Sequence, residues 1–244
     1  MQKFIGIGSL KETSLHASLK IWYALPGDQL EVPVDGYLVD IKRGDLLIEV
    51  QTSNLSALKP KLLALLAYHP VRVVCPIASE KWILREIRSE YEKVQRRKSP
   101  KHGRLEHVFD ELVFISSLLT HERFSLEILL TKEEEIQQKT TMPTSRRAWR
   151  RRGWQIQDRR LVEVLDRRLF SSPLDYHNLL PIGLGQPFTT TDLAKAASIS
   201  RRLAQKMAYT LRSMEIIHRV GKRDGSYLYD MSSLMTARNL RSSL

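Results

Sequence analysis

The chain has a single cysteine, Cys75, and it lies inside the apolar run VRVVCPIA. An intrachain disulfide framework and a cysteine-built zinc site are both excluded. A cysteine in such a run reads as a small core residue rather than a catalytic thiol. No stretch approaches the roughly 20 apolar residues of a membrane span, and MQKFIGIGSL lacks the sustained apolar segment of a secretion signal. P-loops and dinucleotide-type glycine runs are missing too, so nucleotide hydrolysis has no support. His69, His102 and His107 show no metal-ligand spacing. The expectation is a soluble, cytoplasmic protein with no membrane partner.

Acidic residues are also scarce, but only in one half. With 39 Lys and Arg against 27 Asp and Glu, the net charge is +12. Residues 1–140 carry 20 basic and 19 acidic side chains, whereas residues 141–244 carry 19 and 8. Attraction to a polyanion is therefore a local property of the second half, and DNA is the partner that such asymmetry favours over a generally basic surface. A length of 244 residues accommodates one large domain or two ordinary ones.

In the first half, SLHASLKIWY places Leu15, Leu19 and Trp22 on one helical face. Pro26-Gly27-Asp28 ends that helix, and QLEVPV, GYLVDIK and LLIEVQT follow as three strands, the last two joined by an Arg43-Gly44-Asp45 turn. Ser56 to Tyr68 reads as a second helix, VRVVCPIA as a buried strand and KWILREI as a further one. Asp35 opens the second strand. Glu49 and Gln51, two apart on the third, share a face, and the hairpin brings Glu49 back toward the Asp35 end. Two converging carboxylates suit a hard divalent cation such as Mg²⁺ or Mn²⁺; the alternative is a pair of solvated strand-end acids. Asp40 is expected to face away from Glu49 in a regular strand and ranks below Asp35. His16, four residues after Glu12 on the first helix, is either a neighbour of the site or a surface residue.

The segment PVDGYLVDIKRGDLLIEVQTS, in its helix, three strands, helix, strand setting, resembles the PD-(D/E)XK nuclease superfamily over roughly residues 10–90. That resemblance implies a restriction-endonuclease-like α/β fold with an αβββαβ core, and metal-dependent cleavage of DNA by an activated water. It assigns Asp35 to the family's Asp, Glu49 to its Glu and Gln51 to the position usually held by Lys, with Glu12 as the acidic residue many members carry on the first helix. Val34 stands where the family name has Pro. Gln51 can orient a water or offer its carbonyl to a metal, but it carries no charge; Lys59 is a candidate to supply it.

After a charged loop at residues 91–104, LEHVFDELVFISSLL reads as a helix and FSLEILLT as a strand. The acidic run Glu133-Glu134-Glu135 precedes a polar stretch, QQKTTMPTS, which is the expected boundary. RRAWRRRGWQIQDRR then packs seven arginines and two tryptophans into fifteen residues. Arg146, Arg147, Arg150, Arg151 and Arg152 are assigned to DNA phosphates. Trp149 and Trp154 read as anchors for the linker, with base stacking as the alternative.

RLVEVLDRRLF reads as an amphipathic helix. Thr189 caps a short helix with Asp192 three residues on, Ser200 opens SRRLAQKMAYTLRSM, and EIIHRVGKRDGSYLYDM alternates around a Lys-Arg-Asp-Gly turn. This order resembles a winged helix-turn-helix domain over residues 158–231. The resemblance implies that Arg201, Arg202, Gln205, Lys206, Tyr209 and Arg212 face the major groove of double-stranded DNA, with Lys222 and Arg223 at the wing tip on the backbone.

The expected organisation is a nuclease-like domain at 1–138, a basic connector at 139–157 and a winged helix domain at 158–244. The expected function is a DNA-binding, metal-dependent endonuclease targeted by its winged helix. The alternative is a non-catalytic DNA-binding regulator or adaptor with an inactive nuclease-like domain. A homodimer or a partner protein is compatible with either.

Overall fold

A computed structural model describes residues 13–87, 93–139 and 153–232. Glu12 and Arg146, Arg147, Arg150, Arg151 and Arg152 lie outside the described residues, as does Trp149. The chain is a mixed α/β structure with a seven-stranded mixed sheet and a separate two-stranded hairpin.

Helix α1 (Ser14–Tyr23) starts where Thr13 accepts the His16 N–H and puts Leu15, Leu19 and Tyr23 inward. It is followed by β1 (Gln29–Val34), β2 (Tyr37–Arg43), β3 (Leu46–Val50), α2 (Leu55–Leu66) and β4 (Val71–Ile87). This is the expected order of helix, three strands, helix, strand. VRVVCPIA and KWILREI are continuous in β4, however, rather than two strands. β1 and β2 pair antiparallel with Val34 opposite Tyr37, so Asp35 and Gly36 form the two-residue turn, both at positive φ. Asp-Gly is the dipeptide that a type I′ hairpin turn favours. β2 and β3 pair with Arg43 opposite Leu46 and Ile41 opposite Ile48. Pro60 falls inside α2, where it lacks the N–H that the Ser56 carbonyl would accept.

The sheet order is β1-β2-β3-β4-β6-β7, where β6 is Phe124–Lys139 and β7 is Trp154–Phe170, with β5 (Lys93–Lys98) paired to β4. Leu15, Leu19 and Tyr23 of α1 meet Ile41, Ile48, Val50, Val74 and Leu129 in a core against which Leu161 and Val164 also pack. Three expectations fail here. The charged loop at 91–104 contains β5. LEHVFDELVFISSLL is broken into a 3₁₀ turn, a four-residue helix α3 (Phe109–Leu112) and another 3₁₀ turn at Ser116–Leu118. Most consequentially, RLVEVLDRRLF is not a helix but part of β7 (Trp154–Phe170). β6 (Phe124–Lys139) offers β7 a neighbouring strand, and a tertiary partner of that kind overrides local periodicity.

The acidic run lies inside β6, where alternate residues Thr131, Glu133, Glu135 and Gln137 form a buried polar row, and the first three residues of the expected boundary, Gln137 to Lys139, belong to the same strand. Thr131 donates to Glu133 at 2.8 Å and Gln137 to Glu135 at 2.6 Å. Lys81 and Arg85 of β4 donate to Glu135 and Gln137 at 3.3 and 3.2 Å. Buried polar groups need such partners.

Two compact units emerge. The first comprises Met1–Thr52, Val74–Arg104 and Ile128–Arg168, the second Ser53–Val73, Leu105–Glu127 and Leu169–Leu244. This differs from the contiguous ranges 1–138, 139–157 and 158–244, because β4, β6 and β7 each contribute residues to both units.

Two contacts in the first unit give stability predictions. Asp28, whose side chain is only 4% exposed, receives Arg43 Nη2 at 2.7 Å and the Leu25 N–H at 2.8 Å, while Arg43 also donates to the Tyr23 carbonyl at 2.9 Å. The Arg43 hydrogen bond holds the Asp28 carboxyl below its ordinary 3.8. Because the folded value is the lower one, the stabilisation is fully present above the unfolded value and is lost as pH falls through the folded one. Asp28→Asn is therefore expected to lower unfolding stability by about 2 kcal/mol at neutral pH. The gap from wild type should close on acidification, as pH falls through the lowered Asp28 value, in denaturant melts run across pH. Gly103 is a close approach: a Cβ there would lie 2.5 Å from the Ala78 carbonyl oxygen, which its own N–H contacts at 2.9 Å. Backbone cannot swing aside, so Gly103→Ala should cost roughly 1–3 kcal/mol in the same melts.

In the second unit, α4 (Pro173–His177) precedes α5 (Thr190–Ala196), α6 (Arg201–Ser213), β8 (Ile217–Arg223) and β9 (Ser226–Met231). Thr189 and Asp192 form the expected reciprocal cap of α5. Ser200 caps α6 by accepting the Leu203 N–H at 3.2 Å. Leu203, Met207, Leu211 and Met214 are buried as the spacing predicts. β8 and β9 close around Asp224-Gly225, both at positive φ.

Candidate functional site

Glu49 belongs to a strand whose five residues are all wholly or largely withdrawn from solvent, and it is itself 4% exposed. A buried ionised carboxylate is costly without a cation, a proton or donors near it, so its surroundings decide its use. The β2–β3 register fixes them. A tight loop at Gly44-Asp45 joins the strands, and the ladder runs from that loop to the pair of Ile41 with Ile48. The residue next to that pair on β2 is Asp40, as Glu49 is on β3. Asp40 turns its carboxylate onto β3, where Oδ2 accepts the Val50 N–H at 2.8 Å. His16 Nε2 of α1 lies 3.3 Å from the same oxygen.

Asp35 is not brought to this place. It sits in the β1–β2 turn at φ 49°. Three residue steps, roughly 10 Å of strand, separate Tyr37 from Asp40. The hairpin does return Glu49 along β2, but its short loop returns it only as far as Asp40. Gln51 follows β3 directly and donates its backbone N–H to the Val74 carbonyl at 2.8 Å, which seats the end of β3 against β4. Lys59 lies on α2, in the other unit. Among the described residues no group of three or more His, Cys, Asp or Glu side chains is arranged to hold a metal.

Two residues of this neighbourhood escaped the sequence reading. Asp158 of β7 accepts the Ser14 N–H at 3.2 Å and its hydroxyl at 2.5 Å, which pins the start of α1. Arg159 donates to the Thr52 carbonyl at 3.3 Å and lies 3.8 Å from Glu133, which is 1% exposed. Neighbours on one strand thus fix the start of α1 and the residue after Gln51. The signal was hidden because both residues fall in a segment expected to be connector and helix. Trp154 holds the Arg85 guanidinium 4.6 Å from its ring centre, as the anchor reading expects.

In the second unit, the expected DNA-contacting residues divide. Arg201, Arg202, Gln205 and Tyr209 are exposed on α6, and Arg212 is half-buried beside the Tyr209 ring. Lys206 is diverted: its Nζ donates to the Asp110 carbonyl and carboxylate, both at 2.9 Å, because α6 packs against α3 on that side. At the hairpin, Arg223 pairs with Asp192 of α5, whose carboxyl is held low chiefly by the Thr189 N–H and hydroxyl. Lys222 and Arg219 lie 5.2 and 3.8 Å from the centre of the Tyr227 ring.

A curated protein of Treponema pallidum (strain Nichols), named "Uncharacterized protein", is 33% identical to this chain over 193 residues, covering 79% of this chain and 75% of its own length. No solved structure matches. A family model described as "Domain of unknown function (DUF8091)" matches residues 13–171, from the cap of α1 to one residue past β7. The chain belongs to that family, and the α4-to-β9 segment lies beyond its match.

Proposed function

We propose that this protein is a metal-dependent DNA endonuclease of the restriction-endonuclease-like kind, with a winged helix that binds the duplex. The observation that carries this reading is the Asp40 carboxylate turned onto β3 at Val50, next to buried Glu49 and one residue short of Gln51. Hard carboxylate oxygens on adjacent strands are the donor chemistry that Mg²⁺ or Mn²⁺ prefers, so Asp40 and Glu49 are the residues to hold it. Glu12, two residues before the Ser14 that opens α1, is the further candidate donor. A cation held by these residues would supply acidification of a water and neutralisation of charge on the phosphodiester.

The chain's own residues do the rest. The Val50 N–H and His16 Nε2 fix the Asp40 carboxylate, and Gln51 orients the attacking water through its amide. Arg201, Arg202, Gln205 and Tyr209 on α6, with Lys222 on the hairpin, present the DNA-facing surface, and the arginines of the 146–152 stretch add to the positive field. The test is nicking of supercoiled plasmid with Mg²⁺ or Mn²⁺, wild type against Glu49→Ala. Metal-dependent nicking that Glu49→Ala abolishes supports the reading. Undiminished nicking by the variant overturns the site. If both proteins bind DNA and neither cleaves it, the non-catalytic regulator replaces the nuclease.

A further inference from the structure

Among the described residues, β7 is the last strand in the sheet order, next to β6, and it is seventeen residues long. Long edge strands are usually shortened, bulged or guarded, because their free edge pairs with other chains. Of the four exposed large apolar side chains of β7, Ile156, Val162, Leu165 and Leu169, two lie near its middle, Val162 (48%) and Leu165 (43%), beside Leu161 and Val164, which pack inward. Its sequence has a second property. Asp158-Arg159-Arg160-Leu161-Val162-Glu163-Val164-Leu165-Asp166-Arg167-Arg168 is close to a palindrome centred on Glu163.

We propose that β7 is a homodimer interface, in which a second copy of this chain lays its own β7 antiparallel alongside, about a two-fold axis through Glu163. Antiparallel pairing about that axis places Leu161 opposite Leu165 and Val162 opposite Val164 of the second copy. It also places Arg160 opposite Asp166 and Asp158 opposite Arg168. The charges are already grouped for this. Arg160 lies 3.9 Å from Asp158, and Arg168 lies 3.5 Å from Asp166, so each strand carries one acid–base couple at each end of the apolar centre. In the dimer each couple meets the other couple of the second copy with signs alternating. Arg159 would face Arg167, but its guanidinium is already turned to Glu133 and the Thr52 carbonyl within its own chain. Such an isologous contact closes with two copies and removes the exposed edge.

Glu163 is the misfit. On the axis it meets itself, and like charges directly opposite weaken a strand pair. This gives the interface a distinctive response to mutation.

The test is sedimentation equilibrium of the full chain over a concentration series, with thermal unfolding as the check that each variant folds. Wild type should be dimeric. Arg160→Asp sets two like-charge pairs across the axis and should weaken the dimer by roughly tenfold or more. The charge-swapped double variant, Arg160→Asp with Asp166→Arg, should recover most of that loss. Val162→Lys should also dissociate the dimer, and Glu163→Gln should tighten it by a few-fold, about what two opposed carboxylates cost. A monomeric wild type up to about 100 µM overturns the proposal. So does a dimer indifferent to Arg160→Asp and Val162→Lys, and so does a charge swap that restores nothing.

Discussion

Asp40→Asn is expected to lower metal-dependent DNA cleavage by at least about 10²-fold, while Asp35→Asn leaves it within about threefold. The contrast is sharp because asparagine preserves shape at both positions. At Asp40 the substitution keeps an oxygen to accept the Val50 N–H but removes the negative charge, so a loss reports charge at the site rather than a collapsed strand. At Asp35 asparagine is among the few residues content with the turn's positive φ, so that variant should fold normally. Initial rates under excess metal, with melting temperature as the control for folding, read both. Equal losses would detach activity from Asp40, and a loss confined to Asp35→Asn would return the role to the turn.

That pair of variants also marks how far the sequence could be read. The element order through β4 followed from periodicity and turn chemistry, and so did the caps at Thr189 and Ser200. Choosing between Asp35 and Asp40 required the register, which depends on the length of the Gly44-Asp45 loop and the point at which β2 leaves its ladder. An irregular strand end, where a side-chain carboxylate takes a backbone N–H, leaves no mark in a pattern of alternating residues. β7 was misread for a related reason. Leu161, Val162, Val164, Leu165 and Leu169 fit a helical stripe as well as a strand, and only pairing beside β6 decides between them. The division of the chain was illegible on the same ground. A cut near Gln138 would remove Leu161 and Val164 from the core they pack against, although polar composition marks that point as a boundary.

The positive surface of the second unit is expected to divide by mutation in the same way that it divides by hydrogen bonding. Wild-type affinity for duplex DNA should fall steeply between about 50 and 200 mM salt, since cations on phosphate release condensed counterions. Removing Arg201 and Arg202 together should reduce the slope of log K against log salt by about 1.8, roughly 0.9 for each phosphate no longer neutralised. Both are exposed in the first turn of α6. Lys206→Ala should leave that slope nearly unchanged, because its ammonium is committed to Asp110. Arg223→Ala should behave likewise, its guanidinium being paired with Asp192. Fluorescence anisotropy with a labelled duplex measures all four proteins. Four indistinguishable slopes would mean that α6 does not touch phosphate. A large change from Lys206→Ala alone would mean that α6 gives up its packing on α3 when DNA binds.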